Sequence, residues 1–411
     1  MNILLINHDA GSEEMGKEYR PYYFAREWVK QGHKVFILTA DFSNIRKKNP
    51  AIFKDFQKEV IDGINYYWIR TIRYKGKSKK RQAAMTQFIS KLYKSAERIV
   101  DVMEPDVIIT SSTYPLDTYV GEKIKNLSDK PVKLIHEVNS MWAVNPLETG
   151  RLSTKYPLVK AMQHREDYFC NRCDMVVSPI PCTEEYVRKH GLEYEKFAFI
   201  PNGVVLEDWE NPEPLPDRHE KVLNKLKYEN KFVICAFGLY NKPYMIQYLI
   251  DAAKVINDPR LHVVFIGDSL YKKKLIEETE GFEDTFTFLP TVPKECLSSV
   301  YDKIDASYIG ARINGMGRFN ICKNTIFEIM MGGKPVLYAV NAPHNYVAEY
   351  QCGVSVEAED LNELINGIEN LMATDEEETV KMGDNGKKAA QEYFNYSVQS
   401  KRFLETIEEN E

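Results

Sequence analysis

Short runs of mostly apolar, often β-branched residues alternate along the chain with longer stretches of helical period. The first runs fall at 2–7, 35–39, 107–110, 133–137, 175–178 and 197–201. Runs that are apolar at nearly every position, separated by helical segments, predict strands buried on both faces and joined by crossover helices in a parallel sheet. Between the first two runs Phe24, Ala25, Trp28 and Val29 share one helical face, and Gly32 stands where a left-handed C-cap is expected. That segment completes a strand–helix–strand unit.

After residue 201 the pattern breaks. The stretch 211–221 carries Pro212, Pro214 and Pro216, can continue neither a strand nor a helix, and reads as an interdomain linker. A second alternating series then predicts strands at 232–237, 262–267, 285–289, 306–310, 335–340 and 353–357. The expected fold is α/β, with two Rossmann-like domains at 1–205 and 206–390 and a final helical stretch, 391–411, that can run back to brace the first. A chain of 411 residues exceeds what one hydrophobic core usually supports, which also favours two domains. Ligands of open parallel sheets bind beyond the strand C-termini, so two such sheets stacked mouth to mouth would form a central cleft.

Composition changes this picture little. A net charge of -6 argues against nucleic acid as a partner for the whole surface and leaves room for a local basic patch. The run Arg70, Arg73, Lys75, Lys77, Lys79, Lys80 and Arg81 is such a patch, followed by Met85, Phe88, Ile89, Leu92 and Tyr93 at helical spacing. It reads either as a surface for an anionic leaflet, through residues 70–93, or as a solvated loop before a helix that faces the core. The opening residues read as a buried strand rather than an export signal, and no run approaches the roughly 20 apolar residues of a membrane span. The expected place is the cytoplasm, with peripheral attachment to the inner face of the plasma membrane. Seven cysteines, an odd number, read as reduced thiols, and the Cys170–Cys173 pair as helix packing without a second ligand pair. No metal site is expected.

The strongest local chemistry lies at 317–336. Polar and glycine-bearing residues lead into a helix expected to start near Asn324 or Thr325 and to stop at Gly332-Gly333. A helix N-terminus leaves N–H groups unpaired and carries partial positive charge, which suits a diphosphate, and Arg318 and Lys323 add charge. Glu328 lies one turn past Asn324 on the same side, where its carboxylate can accept from two ribose hydroxyls. The plainer reading is a capped helix with a solvated first-turn acid.

This segment resembles the donor-site helix of the family-4 retaining glycosyltransferases of the GT-B fold, in particular the subgroup that builds bacterial surface polysaccharides. Lys323-Asn324-Thr325-Ile326-Phe327-Glu328 and Gly333-Lys334-Pro335 match it in order. The resemblance makes Glu328 the ribose-binding acid and places Asn320, which stands for the first glutamate of the family's pair, with Asn324 and Thr325 around the donor. It extends to Asn7-His8-Asp9, to Gly11 in the following loop and to Tyr19-Arg20-Pro21-Tyr22-Tyr23. Gly11 there suits a close backbone approach to the donor, and Arg20 a phosphate or acidic acceptor or else a salt bridge. Ile200-Pro201-Asn202-Gly203-Val204 resembles the domain junction, with Val205 where an aspartate is usual. Lys242 is the one diphosphate cation of its segment, since Leu239 replaces an arginine, and Asp268 is either a donor ligand or a loop cap. Pro290-Thr291-Val292 falls where the family's backbone reads the base.

On the acceptor side the resemblance points to Asn139 and to Ser140, which replaces an aspartate, with Glu137 or His136 as candidate base. Each of these last two reads equally as a packed or capping strand end. The implied activity is transfer of a sugar, with retention and without a metal cofactor, from a nucleotide-diphosphate donor, most often a UDP-sugar, to a glycan or polyprenyl-diphosphate-linked acceptor. The diphosphate oxygen would take the acceptor proton. Two other readings remain: another catalyst on this fold, such as a nucleotide-sugar epimerase or a phosphorylase, and a non-catalytic nucleotide-sugar-binding subunit.

Overall fold

A strand with no polar position after its first residue must be covered on both faces, and β1 (Asn2–Ile6) accordingly runs in the middle of a sheet between β2 (Lys34–Ala40) and β5 (Val107–Thr110). The computed structural model describes residues 1–16, 19–76, 79–139, 157–181, 183–239, 245–268, 271–311, 325–342 and 344–408. They form two compact units, Met1–Asn202 with Tyr396–Glu411, and Gly203–Asn395.

The first unit is built on an eight-stranded sheet of order β3-β4-β2-β1-β5-β6-β7-β8. Its remaining strands are β3 (Gln57–Ile61), β4 (Ile64–Ile69), β6 (Lys133–Glu137), β7 (Met175–Ser178) and β8 (Phe197–Phe199). All neighbours are parallel except β3 and β4, a hairpin that the run-and-period reading passed over. Its turn is Asp62-Gly63, both at positive φ (49° and 79°), the two-residue turn that matches strand twist. A side chain at Gly63 would also meet Val29 Cγ1 at 2.7 Å.

One face of this sheet carries the core of Phe88, Leu92, Ile99, Ile124, Phe169 and their neighbours, supplied by α2 (Lys79–Lys94), α3 (Ala96–Met103), α4 (Thr118–Leu127) and the helix Pro157–Arg172. Against α1 (Tyr19–Lys30) lies the helix Tyr396–Glu408. Phe403 stands edge-on to Phe24 at 5.7 Å and to Trp28 at 5.3 Å, and Trp28 Nε1 donates to the Ser400 carbonyl at 3.1 Å. The last helix is thus part of the first unit's interior.

The second unit is a six-stranded, wholly parallel sheet of order β11-β10-β9-β12-β13-β14. Its strands are β9 (Phe232–Leu239), β10 (Leu261–Asp268), β11 (Phe286–Leu289), β12 (Ala306–Gly310), β13 (Val336–Ala339) and β14 (Gly353–Val356). The proline-rich stretch read as a linker does lack regular structure up to the helix Asp217–Tyr228, but it packs on this unit: Leu215 is buried, and Glu213 N donates to the Glu295 carbonyl at 2.9 Å. Prolines exclude helix and sheet without excluding burial. Gly383 of the helix Glu376–Glu392 lets it lie on the turn after Thr325–Met331, where a Cβ would come within 2.1 Å of the Gly333 oxygen.

A polar seam crosses the first sheet where its strand order reverses, between β1 and β5. Asn7 Nδ2 donates to the Ser111 carbonyl at 2.6 Å, His8 N to Ser112 Oγ at 3.1 Å, and Ser112 N to Asp117 Oδ2 at 2.8 Å. His8 Nδ1 and Tyr114 Oη share a hydrogen bond of 2.8 Å. Burial lowers the His8 imidazole to about 4 and His136, one strand further, to about 3, and it pushes the Asp117 carboxyl up to about 7.

This packing makes two predictions about stability. Phe403→Ala should cost about 3–5 kcal/mol of unfolding free energy in the first unit, read by denaturant titration; a loss near zero would show that the last helix is not integral to it. The pH dependence has opposed parts. Between about pH 4 and 6.5 the unfolded chain protonates its histidines while folded His8 and His136 stay neutral, so they make stability rise with pH. Asp117 does the reverse, holding its proton when folded up to about pH 7 and losing it near 4 when unfolded. In Asp117→Asn the stability of the first unit should therefore climb more steeply with pH over this window, by about 1.4 kcal/mol per pH unit. Parallel profiles for variant and parent would contradict the assignment.

Candidate functional site

In the second unit the strand order reverses between β9 and β12, and an open parallel sheet takes ligands beyond the carboxyl ends of its strands at that point. Near the end of β9, Gly238 has a φ of 95° that admits no ordinary side chain, and its space is open. The helix Ile246–Ile256 follows from Met245, itself left-handed at φ 52° and held through its carbonyl by Tyr308 Oη at 3.1 Å. Asp268, exposed at the end of β10, stands in register with Leu239.

The helix Thr325–Met331 crosses from β12 to β13. It buries Ile326, Phe327, Ile329, Met330 and Met331, leaving Thr325 and Glu328, three residues apart, half-buried on its outer side. Phe327 stacks on Phe394 at 4.3 Å, which fixes the helix and with it the carboxylate. Glu328 Oε1 lies 3.9 Å from Lys294 Nζ, and the same ammonium is paired with Asp208. Burial pushes the Glu328 carboxyl up, Lys294 pulls it down, and Asp208 pushes it up again. A half-buried acid beside a cation, facing out of a rigid helix, can accept hydrogen bonds from neighbouring hydroxyls. Lys294 and Asp208 were not legible as site residues, since nothing local in the sequence links three segments.

In the first unit the suggested residues come together differently. Arg20 is buried and bonded at all three guanidinium nitrogens: Nε donates to Glu137 Oε1 at 2.8 Å, one terminal nitrogen to the Pro201 carbonyl at 2.9 Å and Asn202 Oδ1 at 3.0 Å, the other to the Ile200 carbonyl at 2.9 Å. Its guanidinium lies 4.4 Å from the Phe24 ring centre. Asn139 Nδ2 reaches Glu137 Oε2 at 3.3 Å and the Ser111 carbonyl at 3.1 Å. Glu137 thus binds its own protein cation. His136 is held at Nδ1 by Thr110 Oγ1 (2.8 Å) and Thr118 Oγ1 (3.2 Å), with Phe169 at 4.2 Å. With its pKa near 3 it is a packed imidazole, badly matched to proton transfer at neutral pH.

Gly11 does permit a close approach, of Arg46: a Cβ would meet Arg46 Cδ at 3.3 Å. Arg46 is buried and donates to Ala40 O and Thr39 Oγ1, each at 2.9 Å, and to Asp9 O at 3.3 Å. Burial lowers its pKa to about 10 without discharging it. An open groove of about 1000 Å³ lies nearby, where Arg26, Lys30 and Lys48 face Glu13, Glu59 and Asp62. Its balanced charge gives a diphosphate no preference for it.

Ser140, Lys242, Arg318, Asn320, Lys323 and Asn324 lie outside the described residues. In the basic stretch, Ala84, Phe88 and Leu92 of α2 face the core while Lys79 and Lys80 are exposed. Among the described residues no helix is long and apolar enough to cross a membrane, and no cluster of three potential metal ligands occurs.

Residues 16–208 match the family described as Glycosyltransferase Family 4, and residues 217–389 the family Glycosyl transferases group 1. A comparison with curated proteins found no match. Among solved structures, a sucrose-phosphate synthase from Thermosynechococcus elongatus is similar in fold, with a TM-score of 0.69 at 17% identity over 99% of this chain and 98% of that one. HepE from Anabaena in complex with UDP and glucose gives 0.64 at 16% over 99% of both. WaaG, a glycosyltransferase involved in lipopolysaccharide biosynthesis, gives 0.61 at 13% over 97% of this chain and 98% of that one. With the two family matches in tandem over most of its length and a two-domain α/β fold shared with these enzymes, the protein is a glycosyltransferase of the GT-B type.

Proposed function

We propose that the protein is a retaining glycosyltransferase that moves a hexosyl group from a nucleotide-diphosphate donor, in the first instance a UDP-sugar, to a hydroxyl of a glycan or polyprenyl-diphosphate-linked acceptor in the synthesis of cell-surface polysaccharide. The observation that carries this is Glu328, a half-buried carboxylate held outward by a fixed helix in the unit that matches the group 1 family. It is the acceptor for the ribose hydroxyls. HepE was solved with UDP and with UDP-glucose, which supports UDP as the nucleotide, and WaaG's part in lipopolysaccharide biosynthesis supports a surface glycan as product.

In the reaction the bond from the anomeric carbon to the donor diphosphate breaks. The acceptor oxygen bonds to that carbon on the same face, and the acceptor proton passes to the departing phosphate oxygen. The leaving group is its own base, so Glu137 and His136, both committed to protein partners, need take no proton. The chain's contribution is electrostatic: Lys242, Arg318 and Lys323 are the cations for the diphosphate, with Asp268, Asn320, Asn324 and Thr325 at the donor, and no resident metal ion is required. Arg20 acts on the acceptor side indirectly, by fixing Glu137 and through it Asn139, with Ser140 next in the chain.

UDP should raise the thermal midpoint of the parent protein, and Glu328→Ala should weaken UDP binding about tenfold or more in calorimetry, the worth of one charge-assisted hydrogen bond. Equal binding by parent and variant would remove Glu328 from the site.

The same reading brings the protein to the inner face of the plasma membrane through residues 70–93. Because Phe88 and Leu92 pack inward, the attachment is one of charge. Sedimentation with vesicles containing anionic lipid should fall for the double charge reversal Lys79→Glu, Lys80→Glu and also with added salt. Unchanged sedimentation would exclude the surface.

A further inference from the structure

The Asp208–Lys294–Glu328 arrangement joins three separate segments of the second unit. Asp208 belongs to the short helix Leu206–Trp209, just past the unit boundary at Gly203. That segment is firmly seated: Val204 is buried, its N–H donates to the Phe394 carbonyl at 2.8 Å, and Trp209 packs on Tyr301 with ring centres 5.7 Å apart. Lys294 opens the turn Lys294–Cys296, which is held on its other side by the Glu213 N to Glu295 O bond and by Cys296 Sγ on the Pro214 carbonyl at 3.3 Å. Glu328 rides on its own packed helix. The backbones are fixed, so the lysine side chain is the movable part.

Its ammonium is drawn to two carboxylates at once. It is seated on Asp208 and stands 3.9 Å from Glu328 Oε1, too far for a hydrogen bond. About 29% of the side-chain surface of Lys294 and of Glu328 is exposed, so a small rotation would close that gap. An ammonium seated directly on Glu328 would take lone pairs and space that a ribose needs. One held a little further off leaves the oxygens open and still stabilises their charge.

We infer that Asp208 is a positioning residue of the nucleotide site, holding Lys294 off Glu328 so that the Glu328 carboxylate stays open to the ribose. The inference rests on the reading of Glu328 given above and adds to it a restraint from the segment that opens the second unit. Without Asp208 the lysine turns to the nearest remaining acid, Glu328, and competes with the ligand for it.

The test is calorimetric titration of the full chain with UDP. Asp208→Asn should weaken binding about fivefold, consistent with one partly exposed ion pair forming between Lys294 and the wrong acid. Asp208→Glu, which keeps the charge, should restore most of the affinity. The double variant Asp208→Asn, Lys294→Met should bind like Lys294→Met alone, because once the lysine is gone there is nothing to restrain; such non-additivity is what coupled residues show. A purely structural Asp208 would make the two substitutions additive. Additivity, or an Asp208→Asn affinity equal to the parent's, would overturn the inference. If Glu328→Gln leaves UDP affinity unchanged, the reading of Glu328 falls and this inference with it. If Glu328→Gln weakens binding while the Asp208–Lys294 pair is additive, only the restraint falls.

Discussion

A guanidinium taken out of water must find acceptors for its N–H groups, and the first unit is organised around two that do so. Arg20 gathers the start of α1, the end of β6 and the chain at Ile200–Asn202, three places far apart in sequence, around one buried cation. Arg46 does the same for the ends of β1 and β2. Removing one partner from such a set leaves a buried charge without compensation, which costs several times what an exposed pair contributes. The carboxyl edge of the first sheet is therefore a fixed surface, and Glu137 and Asn139 take their positions from it.

The same constraint separates what could be read in the sequence from what could not. Strands buried on both faces must be apolar at nearly every position, which made β1, β2, β5, β7, β12 and β13 visible, while the edge strands β8, β11 and β14 kept enough apolar positions to be read although they are only half-buried. The hairpin of β3 and β4 was not: β3 is an edge strand, with Lys58, Glu59 and Val60 exposed, and the cue that remained was the Asp62-Gly63 turn. The prolines at 212, 214 and 216 correctly forbade regular structure, yet they say nothing about which surface the segment covers.

Glu328 was legible because its setting is local, a helix start after a glycine-bearing loop and before Gly-Lys-Pro. Lys294 and Asp208 act on it from two other segments, each separated from its helix by at least one whole strand, and no spacing rule connects them. Arg20 shows the opposite difficulty. Its place at the first helix was clear, but whether it faced a ligand or its own chain depended on the carbonyls at Ile200 and Pro201, which only the folded chain brings to it.

The return of the last helix to α1 bears on how the protein is made. As the ribosome works along the chain, the face of α1 bearing Phe24 and Trp28 lacks its partner helix until Tyr396–Glu408 emerges, after the whole of Gly203–Asn395. At typical synthesis speeds that interval is about 10–40 seconds. During it the apolar stripe of α1 lacks its native partner, while every strand of the second sheet, the last of them Gly353–Val356, has already been synthesised. Of the two units, the one whose chain begins first is the last to be sealed.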